Sequence, residues 1–425
     1  MRLNAFGAAV LCIFLLIVSF YQTSWAKEKA KSNVKGTGMA LETDTRQVKG
    51  QRNLYQTDFS TDPVKSGWKT GEFSEQKQAG TWVNSPEGTE HYINVQQGFW
   101  ESPLVKVQPF HYYRLTFSSR SGAGGYWAAL FTDSAGVAIQ TDVYDSLFSS
   151  DEWQEQEFCF RTHALASKVT LRFQSNGDAI AVERVNLSEV TINEVAAWVE
   201  RFSAHCPSVS YVPSESRGTL LPRAFDRMHK GGRFRILLLG DSIANDTGNS
   251  LFEAQLHKLY PKVNFEVVNS VRGGTGCTWY KDENRVQDYV LRFKPDLLII
   301  AGISHNYDAE AIRSVIRQVR AKQNPEILVL SDSITPVSLM TKGFIERTKL
   351  SPEAAGKIID EFPVKLRLMA EEEKVEFLDM RTPWENHMSA AAKPADWFYR
   401  DPIHANSRGK QVVGQILSRY FDRSK

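Results

Sequence analysis

Cysteines, an excess of charge of either sign and long hydrophobic runs are all scarce in this chain, and each scarcity excludes a class of protein. Four cysteines in 425 residues are too few for disulfide bonds to be the main support of the fold. Lys and Arg number 51 and Asp and Glu number 49, and the two signs are interspersed, so nothing in the charge indicates a nucleic-acid partner. The apolar run at residues 5–21 is short for a membrane span.

Several motifs that would fix a particular chemistry are also missing. The absence of a Gly-x-Ser-x-Gly elbow disfavours an ordinary α/β-hydrolase. No His-Glu-x-x-His or His-x-His spacing supports a metal site, and we expect neither a metal nor a cofactor. Gly273, Gly274 and Gly276 are not followed by Lys-Ser/Thr and do not form Gly-x-Gly-x-x-Gly at a helix start, which disfavours a phosphate-binding loop.

The N-terminus has the pattern of an export signal. Arg2 precedes the apolar run, and Ser24-Trp25-Ala26 provides small residues at the −3 and −1 positions of a cleavage site. We expect a signal peptide at residues 1–26, with an uncleaved anchor as the alternative, and hence a secreted, periplasmic or cell-surface protein without a membrane span after cleavage. Residues 27–50 are polar and rich in Lys and Thr, which is typical of a flexible tether.

Two hydrophobic periods divide the rest of the chain. In residues 51–195, short runs such as HYINV, YYRLTFSSR and VTLRFQS alternate apolar with polar residues and end at turns, which predicts an all-β, jelly-roll-like sandwich. Residues 196–232 are interpreted as a linker that packs against one or both domains. In residues 233–425, apolar strands such as RILLLGD alternate with helical segments, which predicts a three-layer α/β domain with a parallel sheet.

Polar residues and glycines follow the predicted parallel strands at the points where these strands end. Ser242 follows the first strand and begins a helix. The other candidates are Gly273 and Gly274 after the second strand, Ser304, His305 and Asn306 after the third, and Asp401 and His404 before the last helix. Because the carboxyl ends of parallel strands meet at one edge of a sheet, we expect these loops to meet. A serine, a histidine and an acid are the parts of an acyl-transfer site.

Three blocks of the sequence together resemble the motifs of the SGNH (GDSL-type) hydrolase superfamily. They are the Gly-Asp-Ser block that ends at Ser242, the glycine block NSVRGGTG and the Asp-x-x-His block that ends at His404. The resemblance covers residues 233–425 and implies a flavodoxin-like domain. It also implies that Ser242 attacks an ester carbonyl, that His404 takes the proton of the serine, and that Asp401 orients the imidazole.

The resemblance further implies an oxyanion hole on the glycine loop and the third-strand loop. The N–H groups of Ser242 and Gly274 would donate to the oxyanion, with Gly273 beside them. The family pattern Gly-x-Asn would place an asparagine at position 304, but the chain reads AGISHN. We expect Asn306 to supply the side chain after a two-residue shift, with Ser304 or His305 as the alternatives.

Other interpretations of the same residues remain open. Gly-Asp-Ser and Asp-Pro are also ordinary turn and helix-cap sequences. Asp241, His305, Asn306, Asp332 and His404 could be ligands of a two-metal phosphoesterase site. Cys277 is interpreted as a packed thiol, and a Cys159–Cys206 disulfide is possible.

The predicted activity is hydrolysis of an ester, with an acetyl group on a polysaccharide or other glycan as the favoured substrate. This expectation rests on export, on the carbohydrate-binding-like pattern of the sandwich and on the habit of the family. The alternatives are a lipase or thioesterase-like acyl hydrolase and a catalytically weak glycan-binding protein. Aromatic residues of the sandwich (Trp68, Trp82, Trp100, Trp127 and Trp153) and beside the catalytic loops (Trp279, Tyr280, Trp397, Phe398 and Tyr399) could stack on sugars or pack in the protein.

Overall fold

The computed structural model describes residues 53–72, 80–85, 90–122, 124–282 and 284–423. The predicted signal peptide and tether lie outside these residues. Within the described ranges, no helix is both long enough and apolar enough to cross a membrane.

Two antiparallel sheets form the N-terminal domain. Their strands are β1 (Asn53–Thr57), β2 (Lys69–Glu72), β3 (Gly80–Asn84), β4 (His91–Val95), β5 (Gly98–Glu101), β6 (Val105–Lys106), β7 (Tyr112–Ser121), β8 (Gly125–Thr132), β9 (Val143–Ser146), β10 (Ser150–Arg161), β11 (Lys168–Ser175) and β12 (Ile180–Val190). One sheet has the order β10-β7-β12-β4-β3, with β1 paired to β12. The other has the order β2-β5-β11-β8-β9, with β6 paired to β11.

Alternation along the strands builds the core between the two sheets. In β7, Tyr113, Leu115 and Phe117 are buried, while Arg114 and Thr116 on the opposite face are partly exposed. Three tryptophans of the sandwich are fully buried and therefore pack in the core rather than stack on a sugar: Trp68, Trp100 and Trp127. Trp82 also packs against this core and donates from Nε1 to the Phe59 carbonyl. Trp153 is partly exposed, with the Arg120 guanidinium 4.6 Å from its ring centre.

Two helices join the sandwich to the next domain, α1 (Ile192–Ala204) and α2 (Pro222–Lys230). Thr191 and Glu194 form a capping box at the start of α1, which satisfies two backbone N–H groups. Trp198 of α1 is buried in one cluster with Tyr112 of the sandwich and Leu251 of the following domain. The described residues between 53 and 423 therefore belong to one compact unit.

The C-terminal domain is built on a five-stranded parallel sheet. Its strands are β13 (Gly232–Gly240), β14 (Val263–Val271), β15 (Leu297–Ile300), β16 (Glu326–Leu330) and β17 (Glu376–Leu378), in the order β14-β13-β15-β16-β17. Numbered within the domain this order is 2-1-3-4-5, the flavodoxin-like arrangement. The fold class predicted for this half of the chain is confirmed.

Helices cover both faces of the parallel sheet. They are α3 (Ser242–Gly248), α4 (Phe252–Leu259), α5 (Cys277–Tyr280), α6 (Arg285–Tyr289), α7 (Ala309–Arg320), α8 (Val337–Thr348), α9 (Pro352–Glu373), α10 (Arg381–Ala390) and α11 (Ser407–Phe421), with short 3-10 helices at Leu291–Phe293 and Ala395–Trp397. The sequence pattern did not predict α8 and α10. Each buries only two side chains, Met340 and Phe344 in α8 and Trp384 and His387 in α10, so neither shows a clear apolar stripe.

The three described cysteines are free thiols, so a Cys159–Cys206 bridge is not formed. Burial raises the pKa of Cys159 to about 12 and also raises the pKa of Cys206 and Cys277. Cys206 is partly exposed, whereas the other two are buried.

We expect iodoacetamide at pH 8 to modify Cys206 first in the folded protein, because alkylation requires an accessible thiolate. Intact-mass spectrometry checks this, with the denatured protein as control, and modification of Cys277 at an equal rate would contradict it.

Candidate active site

Ser242 lies where the central strand of the parallel sheet ends and α3 begins. β13 is buried from Phe234 to Gly240, so its end is held in place. A side chain on Gly240 would overlap the Ala301 carbonyl, which explains the glycine before the turn. Tyr280 donates from its hydroxyl to the Gly240 carbonyl at 2.7 Å. Ser242 itself is partly exposed at the first position of the helix, as the sequence predicted.

The carboxylate of Asp241 joins two loops of the site. Oδ1 accepts from the N–H of Ile243 at 2.9 Å and caps α3. Oδ2 accepts from the N–H groups of Ile303 and Ser304 at 2.8 and 2.7 Å, which holds the loop after β15. Asp241 is 1% exposed, so its carboxylate is satisfied by these backbone N–H groups rather than by water.

We expect Asp241→Ala to lower the free energy of unfolding by on the order of 3 kcal/mol, because buried N–H groups lose their acceptor. Ester hydrolysis should fall with it, since both loops lose their common anchor. Chemical denaturation and initial rates check this. Asp241→Asn keeps one carbonyl oxygen and should lose less stability than the alanine variant; equal losses would contradict the account.

Ser242, His404 and Asp401 form a continuous chain of hydrogen bonds. The hydroxyl of Ser242 lies 2.8 Å from Nε2 of His404, and Nδ1 of His404 lies 2.8 and 2.9 Å from the two carboxylate oxygens of Asp401. Because Nδ1 faces a carboxylate, it carries the proton and donates, and Nε2 accepts from the serine. The side chains of His404 and Asp401 are 18% and 31% exposed, so the chain is open to small molecules on one side.

The environment of Asp401 keeps it ionised. Burial alone would raise its pKa, but the hydrogen bond and the charge of His404, the nearby Arg400 and the N–H of Ile403 outweigh burial and lower the pKa of Asp401 to about 2. Oδ1 also accepts from the N–H groups of Ile403 and His404, each at 3.0 Å. A carboxylate in this state can stabilise a positive charge on the imidazole.

The loop after β15 is tied to the glycine loop by His305. Nδ1 of His305 accepts from the Cys277 N–H at 3.0 Å, and Nε2 donates to the Ala301 carbonyl at 3.1 Å. Burial lowers the pKa of His305, so the ring stays neutral. A side chain on Gly276 would overlap the Ser304 carbonyl, so this glycine is required where the two loops touch.

The predicted oxyanion-hole residues lie on these two loops. Gly273 and Gly274 are exposed, and Gly274 has a φ of +64° that favours glycine. The N–H of Ser304 is engaged by Asp241. Asn306 is exposed, and its Nδ2 donates to the Thr278 hydroxyl at 3.3 Å. Their roles in binding an oxyanion stay predictions.

The alternative metal interpretation is weakened by what its ligands already bind. Asp241 accepts from four backbone N–H groups, and both ring nitrogens of His305 are engaged. Among the residues that the structure describes, no group of three or more His, Cys, Asp or Glu side chains is placed to hold a metal ion.

The aromatic residues near the loops of the predicted site divide into buried and partly exposed residues. Tyr280 and Phe398 are fully buried and act as packing. Tyr399 donates from its hydroxyl to the Ile334 carbonyl. Trp279 and Trp397 remain partly exposed, with the guanidinium groups of Arg285 and Arg408 3.9 and 4.4 Å from their ring centres.

One ion pair beside the Ser242–His404–Asp401 chain was missed by the sequence reasoning. Arg400 Nη1 donates to both carboxylate oxygens of Asp246 at 2.8 and 2.9 Å, and both side chains are almost fully buried. Asp246 lies one helical turn after Ser242, and Arg400 directly precedes Asp401. These two spacings place each residue next to a predicted site residue in the sequence, but they do not predict that Asp246 and Arg400 contact each other.

Comparison with known protein families gives a match for part of the chain. Residues 238–412 match the GDSL-like Lipase/Acylhydrolase family. No curated protein matches the chain significantly. The resemblance stated from the Gly-Asp-Ser and Asp-x-x-His motifs is thus confirmed for this region.

Solved structures are similar over parts of the chain. The enzymatically active domain of bacteriophage CBA120 tailspike protein 4 is 13% identical, over 32% of this chain and 21% of that one, with a TM-score of 0.29. A two-domain esterase (CEX) active on acetylated mannans is 18% identical, over 49% and 53%, with a TM-score of 0.37. A catalytic mutant of Axe2, an acetylxylan esterase from Geobacillus stearothermophilus, is 18% identical, over 45% and 95%, with a TM-score of 0.36. The chain therefore spans about a fifth of the first protein and about half of the second.

Proposed function

We propose that this chain, whose residues 238–412 form a GDSL-like lipase/acylhydrolase domain, is an exported serine esterase that removes small acyl groups, acetyl above all, from a polysaccharide. The observation that carries the proposal is the hydrogen-bond chain from Ser242 through His404 to Asp401. A serine hydroxyl has an imidazole as its base, and the imidazole has an ionised acid behind it.

In the proposed reaction Ser242 Oγ attacks the ester carbonyl while His404 Nε2 takes the hydroxyl proton. Asp401 then faces an imidazolium and stabilises it. The protonated His404 returns the proton to the leaving alcohol, which leaves the acyl group on Ser242, and a water activated by the same imidazole releases the acid. The N–H groups of Ser242 and Gly274 would donate to the tetrahedral oxyanion, together with a donor of the loop after β15.

The substrate class rests on three features of the chain. The predicted signal peptide would take the enzyme to extracellular polymers. An all-β domain of carbohydrate-binding-like pattern precedes the hydrolase domain. Trp279 and Trp397, on segments next to the proposed catalytic loops, are partly exposed, and an indole face that is not covered by the neighbouring guanidinium group would stack on a sugar.

Covalent labelling tests the nucleophile directly. The purified protein is treated with a fluorophosphonate and digested, and the modified peptide is found by mass spectrometry. We expect one adduct per chain, on Ser242, and loss of 4-nitrophenyl acetate hydrolysis in proportion to labelling. Hydrolysis that persists in fully labelled protein, or an adduct on another serine such as the exposed Ser216, would overturn the proposed mechanism.

Product analysis tests the substrate. We expect release of acetate from acetylated xylan or mannan, and little hydrolysis of 4-nitrophenyl palmitate. The reverse result would leave an ester hydrolase of the lipase kind and would overturn the glycan part of the proposal.

A further inference from the structure

The β-sandwich contacts the elements that carry the proposed catalytic residues, through buried polar groups of β9 and the two residues before it. Asp145 of β9 is the centre of these contacts. Its carboxylate accepts from the N–H of Ser407 at 3.0 Å, from the Ser407 hydroxyl at 2.6 Å and from Lys410 Nζ at 2.9 Å. Ser407 begins α11, three residues after His404, so a carboxylate of the sandwich holds the first N–H of the helix that follows the catalytic histidine.

The same sandwich segment also holds the helix that begins with Ser242. Asn245 of α3 and Asn249 directly after it each donate from Nδ2 to the Asp142 carbonyl at 3.0 Å. Thr141 donates from its hydroxyl to the Asn269 carbonyl of β14 at 2.8 Å. The segment Thr141–Asp145 is therefore bonded to α3, to β14 and to α11.

A third contact reaches the catalytic loop itself. Tyr126 of β8 donates from its hydroxyl to the Arg400 carbonyl at 3.2 Å, and its ring stacks on Tyr144 of β9 with 5.1 Å between ring centres. Arg400 in turn is paired with Asp246 of α3. Lys410 donates to the Tyr144 carbonyl at 2.7 Å, and its Nζ lies 3.9 Å from Asp246.

We propose that the segment Thr141–Asp145 and Tyr126 are positioning elements of the esterase site, so that the sandwich takes part in catalysis by fixing His404 against Ser242. This inference rests on the proposed function. The serine and the histidine stand on separate elements, α3 and the loop before α11, and the sandwich bonds to both. Because a displacement of about 1 Å between reacting groups can lower a rate about 100-fold, this support controls turnover rather than substrate affinity.

Asp145 is the residue whose change tests this most sharply. Its side chain and that of Lys410 are 5% and 4% exposed, so loss of the carboxylate charge leaves the buried ammonium group of Lys410 with Asp246, 3.9 Å away, as its nearest carboxylate. We expect Asp145→Asn to lower kcat for 4-nitrophenyl acetate by 10- to 100-fold with KM unchanged within about twofold. The matched control is Asp151→Asn, the same change at an exposed position of β10, which should keep the wild-type kcat.

Two further measurements keep the test decisive if Asp145→Asn folds poorly. Tyr126→Phe removes only the hydroxyl that donates to Arg400, and we expect an unchanged melting temperature and a fall in kcat of less than about tenfold. Amide hydrogen exchange in either variant should accelerate in peptides covering residues 242–248 and 399–406, compared with Asp151→Asn.

The outcomes separate this inference from the proposed function. If Ser242→Ala is inactive but Asp145→Asn and Tyr126→Phe keep the wild-type kcat and exchange rates, the positioning role is overturned and the esterase stands. If Ser242→Ala keeps the wild-type rate, the proposed function is overturned, and hydrogen exchange alone still decides whether the sandwich holds these elements. A rise in KM with unchanged kcat would also overturn the positioning role, because it would indicate a binding contact.

Discussion

Replacement of Ser242 by alanine is expected to lower kcat for 4-nitrophenyl acetate by on the order of 10⁶, the cost of losing the nucleophile in a serine hydrolase. The alanine side chain lacks the oxygen that forms the acyl bond, and His404 Nε2 loses the hydroxyl from which it accepts at 2.8 Å. Residual turnover then depends on water and on the oxyanion donors. Steady-state kinetics with extensively purified protein measure the change.

The fold should be unaffected by this substitution. Ser242 is partly exposed, and α3 is capped by Asp241 rather than by Ser242. The melting temperature of Ser242→Ala should therefore equal that of wild type. Ser216→Ala, at an exposed serine of the segment between the domains, is the control and should keep full activity. Turnover by Ser242→Ala within tenfold of wild type would remove Ser242 from the mechanism.

Asp401→Asn is expected to lower kcat by about 10⁴, as an amide does in place of a triad carboxylate. The carboxylate accepts from Nδ1 of His404 and from two backbone N–H groups. An amide has only one accepting oxygen. If that oxygen keeps the backbone contacts, the amide nitrogen faces Nδ1 and favours the tautomer with its proton on Nε2, which cannot accept from Ser242. Asp396→Asn, an exposed aspartate five residues earlier, is the matched control.

The ionisation of Asp401 also predicts how wild type and Asp401→Asn should differ with pH. Because the pKa of Asp401 is lowered to about 2, the wild-type carboxylate is ionised throughout the range above pH 4, so protonation of Asp401 itself does not change the deficit of Asp401→Asn there. A group with a depressed pKa contributes stability that is present above its ordinary pKa of 3.8 and is lost as the pH falls through 2. Unfolding free energies of wild type and variant should therefore converge in strong acid. A difference in unfolding free energy between wild type and variant that stays unchanged from pH 7 down to pH 2 would contradict this.

Local sequence was sufficient for the elements that place Ser242. The apolar run of β13 ends in Gly-Asp-Ser, and this combination of buried strand, glycine and cap predicts a serine at a helix start. The Asp-x-x-His block predicts an acid and an imidazole on one loop because three residues separate them. The resemblance to the SGNH family implied a flavodoxin-like domain, and the strand order 2-1-3-4-5 of the structure agrees with that prediction.

Contacts between distant parts of the chain could not be predicted in the same way. Asp246 and Arg400 are 154 residues apart, and no period or motif joins them. Asp145 and Lys410 are 265 residues apart and belong to different domains. The sequence suggested a sandwich that accompanies the hydrolase, whereas the structure shows buried charges shared by the two. Burial of a charged residue depends on the partner that packs against it, and that partner is not visible in a local pattern.

The long separation between the residues of the site also sets the order in which it can assemble during synthesis. β1 pairs with β12, so the first sheet cannot close before about residue 190 has left the ribosome. His404 is synthesised 162 residues after Ser242. α11 must then dock on Asp145 of a sandwich that is already folded, since domains generally fold in order from the N-terminus. We therefore expect nascent chains to have no hydrolytic activity until α11 is complete, so that a product truncated before α11 would be folded in its first half but inactive.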